Sequence, residues 1–193
     1  MKQFGPIIEI GAGNGYWARM LQMRDVDIIA FDLHATSVWF PVQEGTPEIL
    51  SEHKDRTLFL CYPDDFEESE DSMALSCLQA YTGTYIIHVG EMLGQTLCLP
   101  DPWGRTSAPD FQVHLATVFH KILQVPLPAW HSSLDTLTVW KRTETCVVDG
   151  AMYAHIPAKE RLEYTMASPS TRQYLLPTTA SETKDASKKR KSK

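Results

Sequence analysis

Ile7-Ile8-Glu9-Ile10-Gly11-Ala12-Gly13-Asn14-Gly15-Tyr16-Trp17 decides how the rest of the chain is read. A short apolar run with an acid near its end is followed by three glycines at alternate positions, which is not the pattern of a surface helix. It predicts a buried strand, a tight glycine turn and the first turn of a helix, an arrangement that brings bare backbone N–H groups close to a ligand. Glycine suits the turn because it reaches positive φ cheaply and has no Cβ to hold a ligand away. A dinucleotide fingerprint, Gly-x-Gly-x-x-Gly, would need its third glycine where Tyr16 stands, so the spacing here is Gly-x-Gly-x-Gly.

Outward from this stretch, Tyr16 to Met23 has Trp17, Met20, Leu21 and Met23 at helical spacing. Val26 to Phe31 reads as a parallel strand, apolar after Asp27, and Asp32 closes it. Ser37 to Gly45 is too short for a helix and a strand, so it predicts a turn and a brief third strand, with a helix over Pro47 to His53. Thr57 to Cys61 and Thr84 to Val89 are the fourth and fifth strands, separated by a helix over Met73 to Tyr81. After a loop rich in proline, Asp110 is placed to cap a helix through Phe111, Leu115, Val118 and Phe119. Lys121 to Val125 and Leu137 to Arg142 predict an antiparallel pair at the sheet edge. From Glu144 to Leu176 the pattern weakens, with one short helix expected around Ala158 to Tyr164.

With Glu9 two residues ahead of Gly11 and Asp32 at the end of the second strand, the pattern resembles motif I and the ribose-binding acid of class I S-adenosylmethionine-dependent methyltransferases. Further segments extend the likeness: Thr57 to Pro63, Tyr81-Thr82-Gly83, Val89-Gly90-Glu91 and Leu137 to Arg142 look like a poorly characterised eukaryotic group of small methyltransferases. The resemblance runs from Gly5 to Arg142. It implies an α/β, Rossmann-like sheet, mostly parallel with an antiparallel edge hairpin, and S-adenosyl-L-methionine as cofactor.

By position, Glu9, Gly11, Ala12, Gly13, Asn14 and Gly15 would form the floor of the cofactor pocket. Asp32 and Leu33 would meet the ribose side, Glu44 and Gly45 the adenine, and Cys61 and Tyr62 the cleft wall. Such enzymes usually carry helices ahead of motif I, whereas here the first strand begins within a few residues of Met1. A natural minimal form, a late start, or a protein partner covering the open cofactor face are the alternatives.

Tyr62-Pro63-Asp64-Asp65-Phe66 occupies the place of the Asn/Asp-Pro-Pro-aromatic motif of amino methyltransferases but departs from it at Tyr62 and Asp64, which puts an N6-adenine activity in doubt. Tyr62, Asp64 and Glu91 are the catalytic candidates, each with a structural alternative as cleft wall or cap. Asp64 to Asp71 holds six acids in eight residues and reads as a solvated loop, or as a feature favouring cationic groups if it overhangs the cleft. His34 and His88 read as structural, and Trp17 as core. No His, Cys and carboxylate spacing suits a metal.

Composition narrows the setting. A chain of 193 residues suits one domain over residues 1–143, an extension over 144–176 and a polar tail over 177–193. The net charge is −6, yet from Ser181 onward six Lys or Arg face two acids, so the body is acidic and the tail basic. An acidic body disfavours nucleic acid as substrate, leaving a small molecule or a protein. Four cysteines without close pairing suit reduced thiols. No uncharged run is long enough to cross a bilayer, so no membrane partner is expected. The expected location is cytoplasmic, or nuclear if Lys188-Lys189-Arg190-Lys191 acts as an import signal. Transfer of a methyl group to nitrogen or oxygen is the leading expectation. A non-catalytic interaction module is the alternative, and a nicotinamide-dependent enzyme is a third that Tyr16 opposes.

Overall fold

Strand β1 (Ile7–Ile10) is buried along its whole length, as a run apolar on both faces requires. Around it the computed structural model describes residues 1–64, 71–97, 102–129, 131–148 and 151–160. Most of the acidic run after Asp64, Cys98, the chain beyond residue 160 and the basic tail lie outside the described residues, as does most of the helix expected at Ala158 to Tyr164.

Helix α1 (Tyr16–Gln22) leads to β2 (Ile28–Asp32), and β3 is only Gln43–Glu44. A 3-10 helix over Pro47–Glu52 precedes β4 (Thr57–Cys61), α2 (Met73–Ala80), β5 (Tyr85–Gly90), α3 (Pro109–Val118), β6 (Phe119–Pro126) and β7 (Thr136–Arg142). The seven strands lie in the order β3-β2-β1-β4-β5-β7-β6. β1 to β5 pair in parallel, and β7 runs antiparallel between β5 and the edge strand β6. This is the expected α/β, Rossmann-like sheet with an antiparallel edge pair.

Strand alternation divides the core. Ile8, Ile10, Leu58, Leu60 and Ile86 face α2 and α3 and pack on Phe111 and Leu115. Ile7, Phe59, Ile87, Val89 and Val139 face the opposite layer, which contains Ala18 and Leu21 of α1. Trp17 is half-buried against this second cluster, its ring 5.7 Å from that of Phe59. His34 is exposed, and His88 is fully buried against Phe111.

Some local expectations are corrected. Asp110 does not cap α3; the helix begins at Pro109 with Ala108 as its cap residue, and Asp110 sits in the first turn. Proline supplies the helical φ, and the N–H it lacks is one that the first turn leaves unbonded in any case, so the start moves upstream. The helix expected over Pro47 to His53 is a 3-10 helix. A hairpin, β8 (Glu144–Val148) with β9 (Ala151–His155), forms a separate two-stranded sheet where no regular structure was expected. Its strands are five residues each and lack strict alternation, so they carry little signal. Glu160, in the 3-10 turn Ala158–Glu160, ion-pairs with Lys141 of β7.

Candidate functional site

The glycine turn leaves β1 at the carboxyl edge of the parallel sheet. Gly11, Gly13 and Gly15 all have positive φ, at 74°, 53° and 75°. Two of them are packed: a Cβ on Gly11 would lie 2.8 Å from Met73 Cε, and one on Gly15 would lie 2.8 Å from Phe40 Cβ. Gly13 differs, because a Cβ there would meet nothing within 4 Å. The turn is thus closed beneath and open above.

Asp32 completes this cradle. Its Oδ2 accepts the Gly13 N–H at 2.8 Å and its Oδ1 accepts the His34 N–H at 2.9 Å. Ala12 N–H bonds Phe31 O at 3.0 Å, and Gly45 N–H bonds Asp32 O at 3.1 Å, so the turn, β2 and the end of β3 are tied together. Glu44 pairs in register with Asp32 and is exposed. Asn14 is exposed, its carbonyl holding Trp39 N–H at 3.0 Å, and Leu33 is 59% exposed beside the cradle.

Glu9 lies beneath the turn, 2% exposed, with Oε2 buried and without a hydrogen-bond partner. Burial pushes its carboxyl up to about 8; a bond from the Ala18 backbone opposes this and the charge of Asp32 adds to it. At neutral pH Glu9 is therefore mostly protonated.

The far wall of the cleft is built by β4, β5 and β7. Cys61 is half-buried, and its thiol is pushed up to about 12 by burial and then by Glu9. Tyr62 has a left-handed backbone at φ 50° and a 47% exposed side chain. Burial first, then the Asp135 carboxylate, then the charges of Cys61 and Glu91, hold its phenol protonated above the ordinary range. Glu91 is 2% exposed, with Oε2 accepting from Arg105 N–H and Oε1 from Leu134 N–H, both at 3.2 Å.

The structure thus gathers Glu9, Gly11, Ala12, Gly13, Asn14, Gly15, Asp32, Leu33, Glu44 and Gly45 on one side. Cys61, Tyr62 and Glu91 stand on the other. Asp64 is not brought to the cleft chemistry. Its Oδ1 accepts Ala74 N–H at 3.1 Å, and its Oδ2 accepts the Ser72 hydroxyl and Ala108 N–H, each at 2.8 Å. This carboxylate joins the N-termini of α2 and α3, where helix dipoles favour negative charge.

Asp135 is the residue that sequence reasoning missed. It precedes β7, is 5% exposed, and its charge raises both the Tyr62 phenol and the Cys61 thiol. An acid just ahead of a β-branched strand that neighbours β5 was the available signal, but it needed the β5–β7 pairing to acquire meaning.

No protein-family model matches the chain, and no curated protein does. Among solved structures, the glycopeptide N-methyltransferase MtfA complexed with S-adenosyl-L-homocysteine is similar at TM-score 0.48 and 14% identity, over 72% of this chain and 83% of that one. The methyltransferase domain of bacterial CtHen1 is similar at TM-score 0.44 and 8% identity, over 70% and 89%. An rRNA methylase from Streptococcus thermophilus is similar at TM-score 0.42 and 13% identity, over 72% and 88%. Likenesses this distant extend to the path of the chain and no further.

Proposed function

We propose that this chain binds S-adenosylmethionine in the cradle of Gly11–Gly15 and Asp32, and moves a methyl group to a nitrogen or oxygen nucleophile on a small molecule or protein. The observation that carries this reading is the bond from Gly13 N–H to Asp32 Oδ2, which makes the glycine turn and the strand-end acid one surface. That surface lies at the carboxyl end of β1, where the order of the parallel strands reverses. Open α/β sheets bind ligands at such points.

The residues fit this cofactor. The space over Gly13 is one that a side chain would fill, and the buried Glu9 Oε2 has no partner of its own beneath it. Gly11, Ala12, Gly13, Asn14 and Gly15 would take the methionine part and Asp32 the ribose hydroxyls, since a carboxylate already bonded to backbone keeps lone pairs for more donors. Leu33 would lie on the ribose side, and Glu44 and Gly45 would border the adenine. Bound there, the sulfonium supplies an activated methyl group. The remaining work of this chain is positioning: Cys61 and Tyr62 wall the cleft so that an acceptor is held in line and water is kept out. The net charge of −6 supports a small molecule or protein over nucleic acid as the acceptor.

Calorimetric titration of the full chain with S-adenosylmethionine and S-adenosylhomocysteine tests the reading; one saturable site per chain is expected, and no binding by folded protein overturns it. A second reading, a non-catalytic module that keeps the cofactor fold, draws on Asp64, whose carboxylate is committed to two helix ends. Cofactor binding without turnover on broad substrate pools would favour it.

A further inference from the structure

We propose that the cavity beside α1 is a second binding site, separate from the glycine cradle, and that its ligand is a small organic anion, a carboxylate on an elongated apolar body. This inference is independent of the methyltransferase reading.

The cavity measures about 520 Å³, within the range of about 300–1,000 Å³ usual for pockets that hold small organic molecules. Helical spacing builds one of its sides. Tyr16, Met20 and Arg24 stand at i, i+4 and i+8, and Trp17 and Leu21 at i and i+4, so two neighbouring rows of side chains line it. Lys2, ahead of β1, and Val26, ahead of β2, also line it. At 1.5 Å of rise per residue, Tyr16 and Arg24 lie roughly 12 Å apart along the helix, so the space is elongated.

Its two ends differ in chemistry. Tyr16 follows the glycine turn at the carboxyl edge of the sheet, whereas Lys2 and Val26 precede their strands and stand at the amino edge. The cations therefore collect at the end remote from the cradle, and no cradle residue lines the cavity. Its apolar part is incompletely covered: Tyr16 is 55% exposed, and Trp17 and Met20 are half-buried. The Trp17 ring is held 5.7 Å from that of Phe59, while the unbranched Met20 can adapt to what covers it.

Charge selects the ligand. The chain has 24 Asp or Glu against 18 Lys or Arg, yet this lining holds two cations and no acid. The acids nearest in sequence are engaged elsewhere or weakly. Asp27 is bound by Arg56 through two contacts of 3.1 Å. Asp25 meets Lys2 at 3.6 Å with both side chains strongly exposed, a pair that contributes little and exchanges readily. Arg24 Nη1 donates to Met20 O at 2.9 Å, which anchors the guanidinium at the end of α1; its other donors have no acceptor among the described residues. A carboxylate can take two such donors in parallel. An ammonium head would be repelled by Arg24 and Lys2, and a neutral head would gain no charge-assisted bond.

Ligand-observed saturation-transfer NMR on the full chain tests this with octanoate, octylammonium and octan-1-ol, which share a chain and differ in the charge of the head. Octanoate is expected to bind best, to weaken as salt is raised, and to be undisturbed by saturating S-adenosylhomocysteine. Arg24 is exposed and makes one hydrogen bond, so its replacement should leave the fold intact. Arg24→Glu should weaken octanoate by roughly tenfold and make octylammonium the better ligand, and Arg24→Gln should weaken octanoate by a smaller factor. The site is overturned if octanoate does not bind, if octylammonium or octan-1-ol binds the unaltered chain as well, or if neither substitution changes the order. Displacement of octanoate by S-adenosylhomocysteine would also overturn it, by placing octanoate in the cradle. Octanoate binding in the expected order by a chain that takes no S-adenosylhomocysteine would leave this site standing and count against the methyltransferase reading alone.

Discussion

The Gly13 N–H donates to Asp32 Oδ2 at 2.8 Å across 19 residues of sequence, and this bond turns a flexible glycine loop into one wall of a rigid cradle. Asp32→Ala should therefore loosen the loop and remove the ribose acceptor together. A loss of about 1–2 kcal/mol in urea denaturation is expected, with cofactor affinity falling further than stability. Unchanged affinity in calorimetry would show that Asp32 faces no ligand.

Two glycine substitutions should behave differently. Gly15→Ala meets Phe40 Cβ at 2.8 Å as well as a positive φ, so it should destabilise the fold by about 2 kcal/mol or more. Gly13→Ala meets no atom and suffers only the φ penalty of about 1–2 kcal/mol, so it should fold while binding the cofactor poorly. Comparison of melting curves and titrations for the pair separates a packing role from a ligand-facing one.

Asp64 should prove structural. Asp64→Ala leaves the buried N–H groups of Ala74 and Ala108 without their acceptor, a loss on the order of 3 kcal/mol. Cofactor affinity of the protein that remains folded should be unchanged. A large fall in affinity at intact stability would return Asp64 to the site.

Stability should depend on pH through Glu9 and His88, with opposite signs. The Glu9 carboxyl is raised in the fold from an ordinary 4.5 to about 8, so its contribution is complete below pH 4.5 and is lost as pH rises through 8. Burial lowers His88 from 6.5 to about 4, so its contribution is complete above pH 6.5 and is lost as pH falls towards 4. The slopes, each about 1.4 kcal/mol per pH unit at most, oppose between the two ordinary values. Of this pair only Glu9 acts above pH 6.5, and its contribution should decline towards pH 8. Chemical denaturation of Glu9→Gln across this range should flatten that alkaline decline, and His88→Leu should reduce the acid-side loss.

Most of the fold is legible in the residues because its signals are local. Thr57–Cys61 and Ile7–Ile10 are apolar runs that only a buried strand uses, and the alternate glycines mark the turn between them and α1. The cradle residues follow from the same signals, since a strand end and a tight turn sit next to each other in sequence. The far wall was less legible. Asp64 and Asp135 are both acids in loops, and nothing in their neighbours tells that one is spent on helix ends while the charge of the other raises Tyr62 and Cys61.

The sequence by itself determined the order of strands and turns and the residues that bound the glycine cradle, because alternation, helical spacing and turn chemistry act over a few residues. Only the tertiary structure decided which acids meet. Asp64 reaches Ala108 across 44 residues, and Asp135 stands beside Glu91 because β7 returns antiparallel to β5. Contacts of that span depend on strand register, which arises from the packing of the whole sheet rather than from any one stretch of it.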